Sequence, residues 1–120
     1  MKAYFINAKH EYIIEVNVRD WKQKQKLIET DIIQTYPYEI NGNDILTDEN
    51  ALMKDYSYNF VIDELYVVHG NALVLSHEYA EDKYKSVKNL TIKDLISRVR
   101  FLGKQYVDHS KLQFKVMEWN

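Results

Sequence analysis

The chain reads as an α+β protein, an antiparallel β-sheet with two helices packed on it, and three observations predict this. Runs rich in β-branched and aromatic residues (KAYFINA, YIIEVNV, VVHGNALVLS) recur along it. Two segments, about residues 20–30 and 91–102, switch to a helical spacing of apolar residues. Short polar connections separate neighbouring runs, which favours hairpins over parallel crossovers.

Taken in order, residues 2–8 and 12–18 are two strands joined by the polar KHE, an antiparallel hairpin in which Ile14, Val16 and Val18 form the face expected to meet the core. In RDWKQKQKLIET the period changes. Asp20 is a natural N-cap, and Trp21, Ile28 and Ile32 fall near one stripe while lysines and glutamines fill most of the rest, giving a helix over about 20–30. IIQTYPYEI returns to strand composition, and Pro37, which cannot donate to a ladder, places it at an edge or a bulge.

NGNDILTDENALMK then gathers four acids between two apolar runs. Ca²⁺ seeks six to eight oxygens, but the alternating ligands and terminal glutamate of a calcium loop are missing, and Ile45 and Leu46 stand where ligands should be. Two turns, at Asn41-Gly42 and at Asp48-Glu49-Asn50, around a short strand are the better reading. ALMKDYSYNFVIDEL alternates irregularly and reads as a crossing at an end of the sheet. YVVHGNALVLSHEY is a strand interrupted at His69-Gly70-Asn71, and EYAEDKYKSVKN is a loop or hairpin end. Thr91, with Asp94 three positions on, starts the second helix, whose stripe runs Ile92, Leu95, Ile96, Val99, Leu102, Tyr106. Gly103 stops it, and KLQFKVMEW alternates like a final strand.

The 120 residues, 46% hydrophobic and 28% charged, suit one folded domain spanning residues 1–120. No apolar run is long enough to span a bilayer, so no membrane partner and a cytoplasmic location are expected. The lack of cysteine excludes disulfides and thiolate chemistry. A formal net charge of -2 argues against a nucleic-acid partner, which calls for a basic excess.

Read together, NGNDILTDENALM, the aromatic YNFVIDE, the strand VVHGNALVLS and the helix LTIKDLISRVRFL resemble, over residues 40–102, a family of small uncharacterised domains carried by bacteriophages and plasmids. The resemblance implies a mobile-element setting and an α+β fold, and it brings no activity with it. Members often carry more glycine and arginine here, and residues 104–120 read as a C-terminal extension.

No motif announces catalysis, so no catalytic, cofactor or metal residue is expected. The histidines at 10, 69, 77 and 109 show no i,i+4 pair; His69 and His77, facing each other across HGNALVLSH, are the one general-base arrangement the spacing allows, against ordinary polar histidines near turns. On a helix running to 102, Phe101 falls opposite the apolar stripe, flanked by Arg98, Arg100 and Lys104. Three covers compete for it: the tail strand 111–119, a homodimer or foreign protein partner, or a nucleotide whose phosphate meets the cations. The YxY pairs Tyr36/Tyr38 and Tyr56/Tyr58 each put two rings on one side of a strand, either as core or as recognition surface.

Three functions follow as expectations. The first is a non-catalytic module that binds and modulates a host macromolecule, as a phage inhibitor or a component of a defence system would, using Arg98, Arg100, Phe101, Lys104, Tyr56 and Tyr58. The second is a binder or hydrolase of a small anionic ligand such as a signalling nucleotide. The third is an acidic decoy for a nucleic-acid site, built from Asp44, Asp48, Glu49, Asp55, Asp63 and Glu64.

Overall fold

A computed structural model describes residues 1–51 and 56–106. The class is α+β, and every strand pairing is antiparallel. Where one sheet was expected, the strands form two.

The main sheet contains β1 (Lys2–Asn7), β2 (Tyr12–Asn17), β3 (Ile33–Thr35), β4 (Asp44–Asp48), β7 (Ala72–Glu78) and β8 (Lys83–Lys85). Its order is β2-β1-β7-β4-β3, with β8 paired to the far end of β7. The second sheet is β6-β5-β9, from β5 (Tyr56–Ile62), β6 (Tyr66–His69) and β9 (Val99–Tyr106). Helix α1 (Trp21–Ile28) packs on β7 and β4, and α2 (Ile92–Arg98) lies beside β2 and β9.

The layers follow from the alternation of side chains along each strand. One face of the main sheet sends Tyr4, Ile6, Ile45, Ala72 and Val74 against Phe60, Ile62 and Val68 of the second sheet and Leu95 of α2. The other face sends Ala3, Phe5, Leu46, Leu73 and Leu75 against Ile28 of α1 and Val18. A sheet covered on both faces explains why every residue of β4 and most of β7 is buried.

Several expectations hold. The first hairpin pairs as read. Asp20 caps α1, accepting from the Gln23 amide at 2.9 Å, and Thr91 caps α2 through the Asp94 amide at 3.1 Å. Asn41 (φ 51°) and Gly42 (φ 80°) are both left-handed, the geometry of a two-residue hairpin turn closed by the Ile40 and Asn43 bridge.

Others need correction. The second helix ends at Arg98 rather than 102, and Val99–Tyr106 is a strand. The stripe that reads as helical also contains β-branched Val99, and β5 offers it a partner: Ile62 pairs with Val99, and Phe60 with Phe101. Tertiary pairing overrides local propensity there. The segment read as a crossing holds β5, the middle strand of the second sheet. Ile14 is 44% exposed instead of facing the core, because α1 sits over β7 and β4 and stops short of β2. The tail strand 111–119, most of the proposed extension and His109 lie outside the described residues.

Candidate functional site

The cationic and acidic residues singled out above meet one another. Asp63 (φ 54°) and Glu64 (φ 57°) form the tight turn between β5 and β6, and this turn aims both carboxylates at β9 and the end of α2. Arg98 donates from Nε to Asp63 Oδ1 and from Nη2 to Oδ2, both at 2.7 Å. Its Nη1 also reaches Asn41 Oδ1 at 3.0 Å, and Tyr38, stacked on Tyr66 with ring centroids 3.8 Å apart, donates to Asp63 Oδ2 at 2.7 Å. Arg100 makes the same two-pronged contact with Glu64, at 2.9 and 2.8 Å. The cations of the proposed interface are therefore largely neutralised in place.

Phe101 is half-buried on the inner side of the second sheet, edge-on to Phe60 with centroids 6.4 Å apart. It is not the exposed aromatic that a helix would have made it. Tyr58 is also packed against the core, Lys104 is exposed on β9, and Tyr56 lies in β5. Tyr36 and Tyr38 likewise join the core, the Tyr36 hydroxyl donating to the Val67 carbonyl at 2.7 Å.

The acidic set is dispersed too. Asp44 and Asp48 are buried. Asp44 accepts from the Tyr79 hydroxyl at 2.9 Å, which pushes the Tyr79 phenol up to about 12. Asp48 accepts from Thr30 Oγ1 at 2.6 Å and from the Asn50 amide at 2.9 Å. Glu49 is exposed, and Asp55 lies outside the described residues.

Hydrogen bonds from Arg98 hold the Asp63 carboxyl below its usual 3.8. Because the folded-state pKa is depressed, the stability Asp63 contributes is fully present above the unfolded-state pKa and is lost as pH falls through the folded value. A carbon-detected titration should place the Asp63 midpoint lower in the wild type than in Arg98→Gln, whose acid-side stability should decline less steeply. Equal midpoints in the two proteins would contradict the pairing.

His69 and His77 do not face each other. His69 Nδ1 lies 2.9 Å from Asn59 Oδ1, which also accepts from Ser57 Oγ at 2.7 Å, so Nδ1 carries the proton; burial lowers the His69 pKa. His77 belongs to the main sheet, edge-on to Tyr79 and 3.2 Å from Asp82 Oδ1. His10 sits in the turn after β1. Among the described residues, no group of three or more histidines and carboxylates is placed to hold a metal ion.

A different surface has the unpartnered charges. Because α1 covers β7 and β4, the β1 and β2 side of that face is left with an open groove of about 630 Å³. Phe5 and Asn7 line its floor, and Gln23 and Leu27 its wall. Lys22 and Lys26, one helical turn apart, follow the wall, with Arg19 leading into it. Asp20 and Glu29 sit at the two caps of α1, so the acids mark the ends and the cations the flank. Among the described residues none of the Arg19, Lys22 and Lys26 side chains has an ion pair or hydrogen bond. Across the groove Ile14 pairs with Phe5 and Tyr12 with Asn7, which puts both on the groove side of β2, and they are 44% and 39% exposed.

No family model, curated protein or solved structure matches the chain. The resemblance to phage and plasmid domains therefore rests on its motifs alone.

The opposite flank of α1 is filled. Lys24 is buried, its ammonium 4.3 Å from the Tyr84 ring centre and 5.3 Å from that of Trp21, and burial lowers its pKa despite nearby Asp20. In the sequence, the lysines and glutamines of this helix only filled the positions outside its apolar stripe. The signal in it was spacing: Arg19, Lys22 and Lys26 follow an i, i+3, i+7 stripe, while Lys24 falls on the other side. No helix among the described residues is long and apolar enough to cross a membrane.

Proposed function

We propose that the protein is a non-catalytic binding module that engages a host macromolecule through the groove between α1 and the first hairpin. The observation that carries this reading is the combination of three unpartnered cations along the groove with exposed Tyr12 and Ile14 across from them. Large apolar side chains beside charge are the composition of binding surfaces, where the centre is desolvated and the rim is charged. The expected setting is the cytoplasm of a bacterial host, with the protein carried by a phage or plasmid and acting on a host component, a defence system included.

The alternatives find less support. A small anionic ligand held by Arg98, Arg100 and Lys104 would have to displace the carboxylates of Asp63 and Glu64. An acidic decoy would need carboxylates that are instead buried, as Asp44 and Asp48 are, or paired with arginine.

The test compares immobilised wild type with Lys22→Glu/Lys26→Glu in a host lysate, both proteins first checked for equal thermal unfolding because both lysines are exposed. Proteins retained by the wild type should drop about ten-fold or more on the variant, as expected for reversing charge beside a contact. An identical retained set on both would end this reading of the groove.

A further inference from the structure

We infer that the occupant of the groove is an acidic amphipathic helix of a partner protein, laid on the β1 and β2 side of the main sheet alongside α1. This deepens the binding-module reading and rests on it.

The space has the dimensions of a helix. Two adjacent strands span about 10 Å, and a helix with its side chains is about 10–12 Å across. The same sheet face shows how such a helix sits, because α1 already lies on β7 and β4 and buries Ile28 there. On the free half Phe5, itself buried, forms the base and is braced edge-on by Tyr12 with centroids 6.1 Å apart, so the exposed apolar surface is Tyr12 with Ile14 at the outer side. These offer contact to an apolar stripe at i, i+3/i+4, i+7, the usual pattern of a helix in a groove.

Charge selects the sequence of that helix. Lys22 and Lys26 stand one turn apart, about 6 Å along the axis of α1, and Arg19 continues the row. A neighbouring helix with carboxylates one turn apart on the flank facing α1 meets them in register. Exposed pairs of this kind add little affinity each, but they fix orientation and reject a basic competitor. Among the described residues, neither helix of a second copy fits, because α1 would bring a lysine flank against a lysine flank, and α2 carries one carboxylate, Asp94, beside Lys93. The groove is open to solvent, whereas small-molecule sites typically enclose most of their ligand.

The experiment titrates the full ¹⁵N-labelled chain with a synthetic eighteen-residue helix bearing leucines at i, i+3, i+4, i+7 and glutamates elsewhere. The same peptide with lysines for glutamates, poly-glutamate and ATP serve as comparisons. The inference expects amide shifts confined to β1, β2 and α1. It also expects affinity that falls with salt, about ten-fold weaker binding to Lys22→Glu/Lys26→Glu, and a clear loss with Ile14→Thr. Equal binding of the lysine peptide, of poly-glutamate or of ATP at these residues would overturn it, as would shifts centred elsewhere. If the acidic helix does not bind while the lysate comparison still separates wild type from variant, the helix falls and the binding module stands. If the lysate sets are also identical, both fall.

Discussion

Phe60→Ala is expected to destabilise the fold by about 3–5 kcal/mol, the usual range for removing a buried phenylalanine. Phe60 is fully buried in the middle strand of the second sheet, where it fills the layer between the two sheets and meets the edge of Phe101. Phe60 is held between Ile45 and Val74 of the main sheet and Ile62, Val68 and Leu95 in the same cluster, so the site cannot collapse easily around the gap. Domains of this size are typically stable by about 5–15 kcal/mol, so the loss is a large share of the whole. Urea unfolding should show a much lower midpoint at unchanged slope, with Phe60→Leu falling well between alanine and wild type. A cost below about 1 kcal/mol would mean that the layer is not packed as described.

Asn43→Ala should cost about 2–4 kcal/mol, a large effect for a polar residue in a turn. Its side chain is fully buried and acts as a clamp: Nδ2 donates to the Lys88 carbonyl at 2.7 Å and to the Ile40 carbonyl at 3.0 Å, while Oδ1 accepts from the Lys88 amide at 3.0 Å. Alanine removes both side-chain contacts to the Lys88 backbone in a place that water reaches poorly, while the Ile40 carbonyl keeps the Asn43 amide at 2.9 Å. The segment from 86 to 90 carries Val87 and Leu90 into the core, so hydrogen exchange at the Val87 and Lys88 amides should accelerate more than at β1. Asn43→Asp keeps the acceptor but sets a buried carboxylate oxygen against the Lys88 and Ile40 carbonyls, and should cost at least as much as alanine at neutral pH. A variant within about 0.5 kcal/mol of wild type would show that the clamp contributes nothing net.

This residue shows what could and could not be read in advance. The Asn41-Gly42 turn and the strand after it were legible, since φ > 0 at two successive positions is written in the residue types. The role of Asn43 was not, because its partner lies 45 positions away. The caps Asp20 and Thr91 were legible for the same local reason. The end of α2 was not: Ile92, Leu95, Ile96, Val99 and Leu102 satisfy a helical stripe, and only the pairing of β9 with β5 decides for a strand from Val99 onward. That one boundary displaced the expected site. On a helix Phe101 would face outward among cations, whereas on the strand it turns inward and its neighbours Arg98 and Arg100 meet Asp63 and Glu64. The groove went unread because it depends on which strands α1 fails to cover, a matter of topology rather than local pattern.

The position of β7 has a consequence for how the chain reaches this fold. It lies between β1 and β4, with Tyr4 opposite Val74 and Ile45 also opposite Val74. The β1 and β2 hairpin can form as soon as its own residues are available, but one edge of β1 stays open until Ala72 and its neighbours arrive. During synthesis that edge is an unpaired template for other chains, and closure across so long a loop is slow. Fragments ending before β7 are therefore the species most exposed to aggregation, and the order in which strands leave the ribosome is the period when this protein depends on low concentration or a chaperone.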